Sequence, residues 1–91
     1  MEIQEIRYFI ALCDTLNFTR AAERCNVSQP ALTRAIQHLE GKLGGPLVRR
    51  ERSNTHLTEL GRIMQPYFRQ VLERMDDGKR RSRSPSSMPR R

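Results

Sequence analysis

The sequence predicts a mainly α-helical chain with one small β-hairpin, and three observations predict it. Apolar residues recur three and four positions apart through most of 3–75, the period of amphipathic helices. Polar corners around Asn17 and Asn26 interrupt that period, and Gly44, Gly45 and Pro46 stop it. Just after the stop, two short extended pieces enclose a polar turn.

The first helix is expected over 2–15, where Ile3, Ile6, Phe9, Ile10, Cys13 and Leu16 form the apolar stripe and Gln4, Arg7 and Asp14 lie between them. A second helix of about two turns is expected over 19–25, with Asn17 and Thr19 both suited to cap it. Its Ala21 and Ala22 allow another backbone to approach closely. Asn26 and Val27 then break the pattern, and Asn is among the few residues that tolerate a left-handed corner. Ser28 is the expected cap of a third helix that runs to Leu43, with Pro30 acceptable in a first turn whose amides have no intrahelical partner. Residues 47–50 and 56–58 read as a hairpin around the turn 51–54. Thr58 caps a fourth helix whose stripe is Leu60, Met64, Tyr67 or Phe68, Val71 and Met75, with Pro66 expected to kink it or leave one carbonyl unpaired. The predicted organisation is a winged helix-turn-helix over 1–58, a linker helix over 59–77 and a disordered Arg/Ser/Pro-rich tail over 78–91.

Two helices joined by a three- to four-residue corner are the arrangement in which a second helix enters a DNA major groove N-terminus first. The third helix has the two faces this requires. At about 100° per residue, Leu32, Ala35, Ile36, Leu39 and Leu43 gather on one side, whereas Gln29, Pro30, Thr33, Arg34 and Gln37 occupy the other. Gln suits adenine, Arg suits guanine, and the Thr methyl or the Pro ring suits a thymine methyl. Ser28 and the free first-turn amides suit a phosphate, as do Arg20 and the hairpin cations Arg49, Arg50 and Arg52 with His56. His38 reads as a partly exposed helical histidine without a partner.

Charge is weaker support than the total suggests. The net charge is +7, yet residues 1–77 hold eleven Lys/Arg against ten Asp/Glu, and residues 78–91 hold six Lys/Arg and no acid. A chain this short buries only about 60% of its unfolded surface, which leaves little room for a deep catalytic cleft. It also lacks a nucleophile–base pattern, paired carboxylates in an apolar pocket or a phosphate-binding glycine loop, so an enzyme is not expected. Cys13 and Cys25 have neither metal-ligand nor redox spacing and read as reduced packing residues; no metal or other cofactor is implied. No apolar run reaches the roughly 18 residues of a membrane span and no signal pattern opens the chain, so a cytoplasmic location is expected.

The run NFTRAAERCNVSQPALTRAIQHLEGKLGGPLVRR over 17–50, followed by LTELG over 57–61, resembles the N-terminal DNA-binding region of LysR-type transcriptional regulators. FTRAA, VSQPAL, LE, LG, PL and LTxxG occur in order at the family spacing. The resemblance implies a sequence-specific regulator that binds double-stranded DNA as a homodimer through the linker helix. By motif match, Gln29, Pro30, Thr33 and Arg34 would contact bases, Ser28 and Thr19 phosphates, and Arg50 and Arg52 would belong to the wing. Gln37 and Arg20 join this set from the residue reading, and Leu60, Met64, Tyr67, Val71 and Met75 are the expected dimer contacts. Thr33 stands where Ser is commoner, and Leu47–Val48 where Leu-Phe is usual, a loss of core volume beside the wing. The family's ligand-binding domain of two α/β halves has no counterpart in these residues, so no small-molecule effector site is expected. The alternative expectation is a truncated or frameshifted fragment, non-regulatory or interfering with full-length relatives.

Overall fold

The computed structural model describes residues 1–83. Four helices and one hairpin follow in the order α1 (Ile3–Thr15), α2 (Phe18–Cys25), α3 (Gln29–Leu43), β1 (Val48–Glu51), β2 (Asn54–Leu57) and α4 (Glu59–Arg83). This is the winged helix-turn-helix with a long following helix that the apolar periods predict.

Local chemistry sets the boundaries. Glu2 and Glu5 form a reciprocal capping box at the start of α1. Of the two candidate caps for α2, Asn17 is the cap, its side chain accepting from the Arg20 amide at 2.9 Å. Thr19 lies inside the first turn. Ser28 caps α3 by accepting from the Ala31 amide at 3.2 Å. Left-handed residues turn the chain after each of the first three helices: Leu16 at φ 49°, Asn26 at φ 58° and Gly44 at φ 84°. Asn26 and Gly44 are the expected corners; Leu16 is a branched residue in a conformation that favours glycine.

Three helices enclose the core. Phe9, Leu12, Leu32, Ile36, Leu39 and Leu47 are fully buried, and Ala21 and Ala22 bring the α2 backbone close to its neighbours. Helix α4 seals this core with Phe68, whose ring meets Phe9 edge-on at 5.7 Å between centroids. The start of α4 is fixed by backbone contacts. Thr58 donates its amide to the Leu47 carbonyl at 3.0 Å and its hydroxyl to the Pro46 carbonyl at 2.6 Å, and accepts from the Gly61 amide at 3.0 Å. A Cβ at Gly61 would stand 2.2 Å from the Leu47 carbonyl oxygen, so only glycine fits beside that strand entry.

Two expectations need correction. The strands are Val48–Glu51 and Asn54–Leu57, antiparallel with Val48 opposite Leu57 and Arg50 opposite Thr55, so the turn tightens to Arg52 and Ser53. Helix α4 continues to Arg83 instead of ending at 77. The last described turns need no apolar stripe, because Asp77 pairs with Arg80 at 3.2 Å and Arg81 at 3.4 Å, and the basic run complements the negative end of the helix dipole. The rest of the expected disordered tail, 84–91, lies outside the described residues. The helix runs without interruption through Pro66, which has no N–H to give the Arg62 carbonyl.

Candidate nucleic-acid interface

Helix α3 presents the two faces its sequence predicts. Leu32, Ile36 and Leu39 are buried and Ala35 and Leu43 half-buried, while Pro30, Arg34 and Gln37 are exposed and Gln29 and Thr33 half-exposed beside them. Gln29, Pro30, Thr33 and Arg34 line one shallow surface hollow. Their common placement follows from burial of the opposite face, which leaves α3 no freedom to rotate. The Thr19 hydroxyl donates to Oε1 of Gln29 at 3.3 Å and orients that amide across the α2–α3 corner. Ser28 and Arg20 are exposed at the first turns of α3 and α2.

The wing stands beside this face. Its strands alternate, so Val48, Arg50, Thr55 and Leu57 share the inner side and Arg49, Glu51 and His56 the outer. The Arg50 guanidinium lies over the Phe18 ring at 4.0 Å, a cation–π contact that ties the wing to the first residue of α2. Asn17, Thr19, Arg50, Arg52, Ser53 and Asn54 line a polar cleft of about 240 Å³ between the wing and α2. Arg52 occupies the turn at φ 57°, where glycine would be relaxed, so a long cation is held at the wing tip against its backbone preference. On the other side of the wing, Oε2 of Glu40 accepts from the Leu47 amide at 2.7 Å. Glu40 therefore ties α3 to the start of the wing.

Phe18 and Glu40 were not among the expected site residues, although both stand in quoted motifs, FTRAA and LE. Periodicity identifies Phe18 as apolar and Glu40 as polar without indicating that each anchors the wing. His38 also departs from its reading as partnerless. Its Nδ1 hydrogen-bonds Oε2 of Glu5 on α1, a carboxylate that also accepts from the Glu2 amide at 3.2 Å. Burial acts to raise the Glu5 pKa, but the Glu2 amide, His38 and the N-terminal ammonium outweigh it and hold the group below its ordinary range. The cysteines are free thiols, half-buried. Burial pushes the Cys13 thiol up to about 12 and the Cys25 thiol upward, the direction away from a reactive thiolate.

The residues expected to form a dimer contact divide between two environments. Leu60 and Met64 are half-buried and pack against their own domain, as does Leu72, with Phe68 fully inside. Tyr67, Val71 and Met75 are 60%, 39% and 40% exposed, and Ile63, outside the expected set, joins them at 53%. The exposed apolar face, Ile63, Tyr67, Val71 and Met75, therefore runs beside the inward stripe of Leu60, Met64, Phe68 and Leu72, set around α4 from it. No described helix is long and apolar enough to cross a membrane.

Comparison with known proteins agrees with this geometry. Residues 3–62 match the model for bacterial regulatory helix-turn-helix proteins of the lysR family. The chain is 43% identical over 76 residues to the HTH-type transcriptional regulator IlvR of Caulobacter vibrioides, a match covering 84% of this chain and 26% of IlvR. Against the HTH-type transcriptional regulator CatR of Pseudomonas putida it is 49% identical over 73 residues, covering 80% of this chain and 25% of CatR. Among solved structures, the CbnR DBD–DNA complex matches with a TM-score of 0.85 at 38% identity, covering 91% of this chain and 95% of that one. The BenM DBD/catB site 1 DNA complex matches with a TM-score of 0.89 at 31% identity, covering 98% and 100%. The chain spans about a quarter of the length of the curated relatives.

Proposed function

Because the chain belongs to the lysR family of bacterial regulatory helix-turn-helix proteins, we propose that it is a sequence-specific DNA-binding transcription regulator that acts as a homodimer in the cytoplasm. The observation that carries this reading is the free polar face of α3, bordered by the wing cations and opposite an apolar face whose Leu32, Ile36 and Leu39 are buried. A helix held this way inserts into a major groove with Gln29, Pro30, Thr33, Arg34 and Gln37 toward the base edges. Ser28, Thr19, Arg20, Arg50 and Arg52 flank that face and bind phosphates, which fixes register without reading sequence. That similar DNA-binding domains have been solved in complex with DNA supports DNA as the partner.

The second copy binds along the outer face of α4, through Tyr67, Val71, Met75 and Ile63, with Leu60 and Met64 at its inner edge. Two-fold pairing then places two α3 helices on half-sites about one helical turn apart, or a multiple of it. No catalytic activity is assigned: the interface offers hydrogen-bond donors and cations for DNA, and the curated relatives are named as transcriptional regulators.

Arg34→Ala is expected to relax preference at one base position at a cost of about 1–3 kcal/mol, whereas Arg50→Ala weakens binding to all duplexes alike. Selection of duplexes by the wild-type chain, followed by titration of both variants on selected and random DNA, measures this. Equal losses on both kinds of duplex for both variants would overturn the assignment.

A further inference from the structure

We infer that two ion pairs of reversed polarity between α1 and α4 form a ladder that sets the angle of the long helix on the helix-turn-helix, and thereby the half-site spacing the protein selects. The inference rests on the proposed reading of the chain as a DNA-binding dimer. Asp14 on α1 accepts from Arg69 at 2.6 Å, and two turns along Arg7 meets Asp76 at 3.5 Å. Asp14 also takes Arg24 of α2 at 3.4 Å, so its carboxylate joins three helices at one point.

The sequence positions sum to 83 in both rungs, as required of helices running antiparallel with one fixed register. The order of charge is opposite in the two rungs. Sliding α4 by two turns in one direction would bring Asp14 to Asp76, and in the other direction Arg7 to Arg69, so either slide sets one like-charged pair and the observed register is favoured over both.

The ladder is placed where apolar packing ends. Thr58, Gly61 and Phe68 fix the first half of α4, and Leu72 is its last inward-packing apolar residue. Of the proposed pairing face, Tyr67 and Val71 stand beside this last packed stretch and Met75 lies beyond it. A small tilt of α4 there moves the partner copy, and with it the second α3, by a larger distance. Exposed ion pairs contribute little to stability individually. Their geometric consequence is larger, because Arg69 and Asp76 act on the part of the helix that sets the tilt. Both stand on the side of α4 away from Tyr67, Val71 and Met75, so they are positioning residues that do not belong to the pairing face.

The test breaks both rungs at constant net charge with R69E and D76R together, and reverses the whole ladder by adding R7E and D14R, with R24E to keep the Arg24 contact attractive. Residual dipolar couplings on the full chain report the orientation of α4 without DNA. One alignment tensor should fit α1–α3 and 70–83 in the wild type, fail in the broken variant, and fit again in the reversed one. On duplexes selected by the wild type, with half-site spacing varied one base pair at a time, the broken variant should lose spacing discrimination by about threefold or more while keeping its single half-site affinity. The reversed ladder should restore the spacing preference. A broken variant that still fits one tensor, or that keeps the wild-type spacing profile, overturns the proposal. If the wild type binds no duplex, the DNA reading fails and the couplings alone decide whether the ladder positions α4.

Discussion

Helix α3 and the wing border the same surface, yet they are held in different ways. Helix α3 has fifteen residues, a Ser28 cap, a Gly44 stop and three side chains with at most 2% exposure, so its outer face is fixed by its inner one. The wing is two four-residue strands, a length at which an isolated hairpin is marginal in water. It stays in place through discrete anchors: Glu40 on the Leu47 amide, Thr58 on the Leu47 and Pro46 carbonyls, and Phe18 beneath Arg50. The difference matches the two tasks. Reading a base edge needs a side chain fixed within about 0.5 Å, which a packed helix supplies. Contacting a phosphate tolerates more adjustment, which a lightly anchored hairpin supplies.

Truncation should separate the two regions most strongly. Leu39→Ala, beneath the reading face, is expected to cost about 2–5 kcal/mol in urea unfolding, whereas Val48→Ala in the half-buried wing should cost less than about 1 kcal/mol. Similar losses would remove the contrast. A smaller effect tests the anchor at Arg50. Phe18→Leu keeps apolar bulk and removes the ring beneath the guanidinium, a contact worth about 0.5–1 kcal/mol where it is exposed. Amide order parameters should fall across 48–57 and stay level in α3, and an unchanged wing would show that the anchor is dispensable. The smallest effect has the opposite sign. Arg52→Gly should relax the left-handed turn and stabilise the fold by about 0.5 kcal/mol, while weakening binding to specific and random duplexes alike.

What was legible in the sequence divides along the same line. The core face of α3, the Ser28 cap and the corners at Asn26 and Gly44 are local chemistry, and each stands where the sequence places it. Contacts between distant residues were not legible. Glu5 and His38 are 33 positions apart, and neither residue type by itself indicates the other. Arg50 reads as a wing cation and Phe18 only as part of the FTRAA motif until the fold brings the ring beneath the guanidinium. The stripe on α4 was correct as a pattern, but which part of it faces the domain depends on Phe68 reaching Phe9. The length of α4 was misjudged for a local reason. An apolar period was required, whereas Asp77 and the following cations sustain the helix without one.

The contact between Phe9 and Phe68 also bears on the order in which the molecule assembles. Helices α1, α2 and α3 are joined by corners of two and three residues, so they meet by local search, which is fast. Docking α4 requires a far longer loop to close, since Asp14 and Arg69 are 55 positions apart, and closure entropy grows with loop length. During synthesis the α3 face is therefore complete before the arm that would pair two copies has emerged, and the core of each copy is sealed only when Phe68 arrives. In the proposed dimer, pairing through α4 then follows completion of the α3 face, so a chain that has not yet made α4 has no finished arm through which to capture a partner.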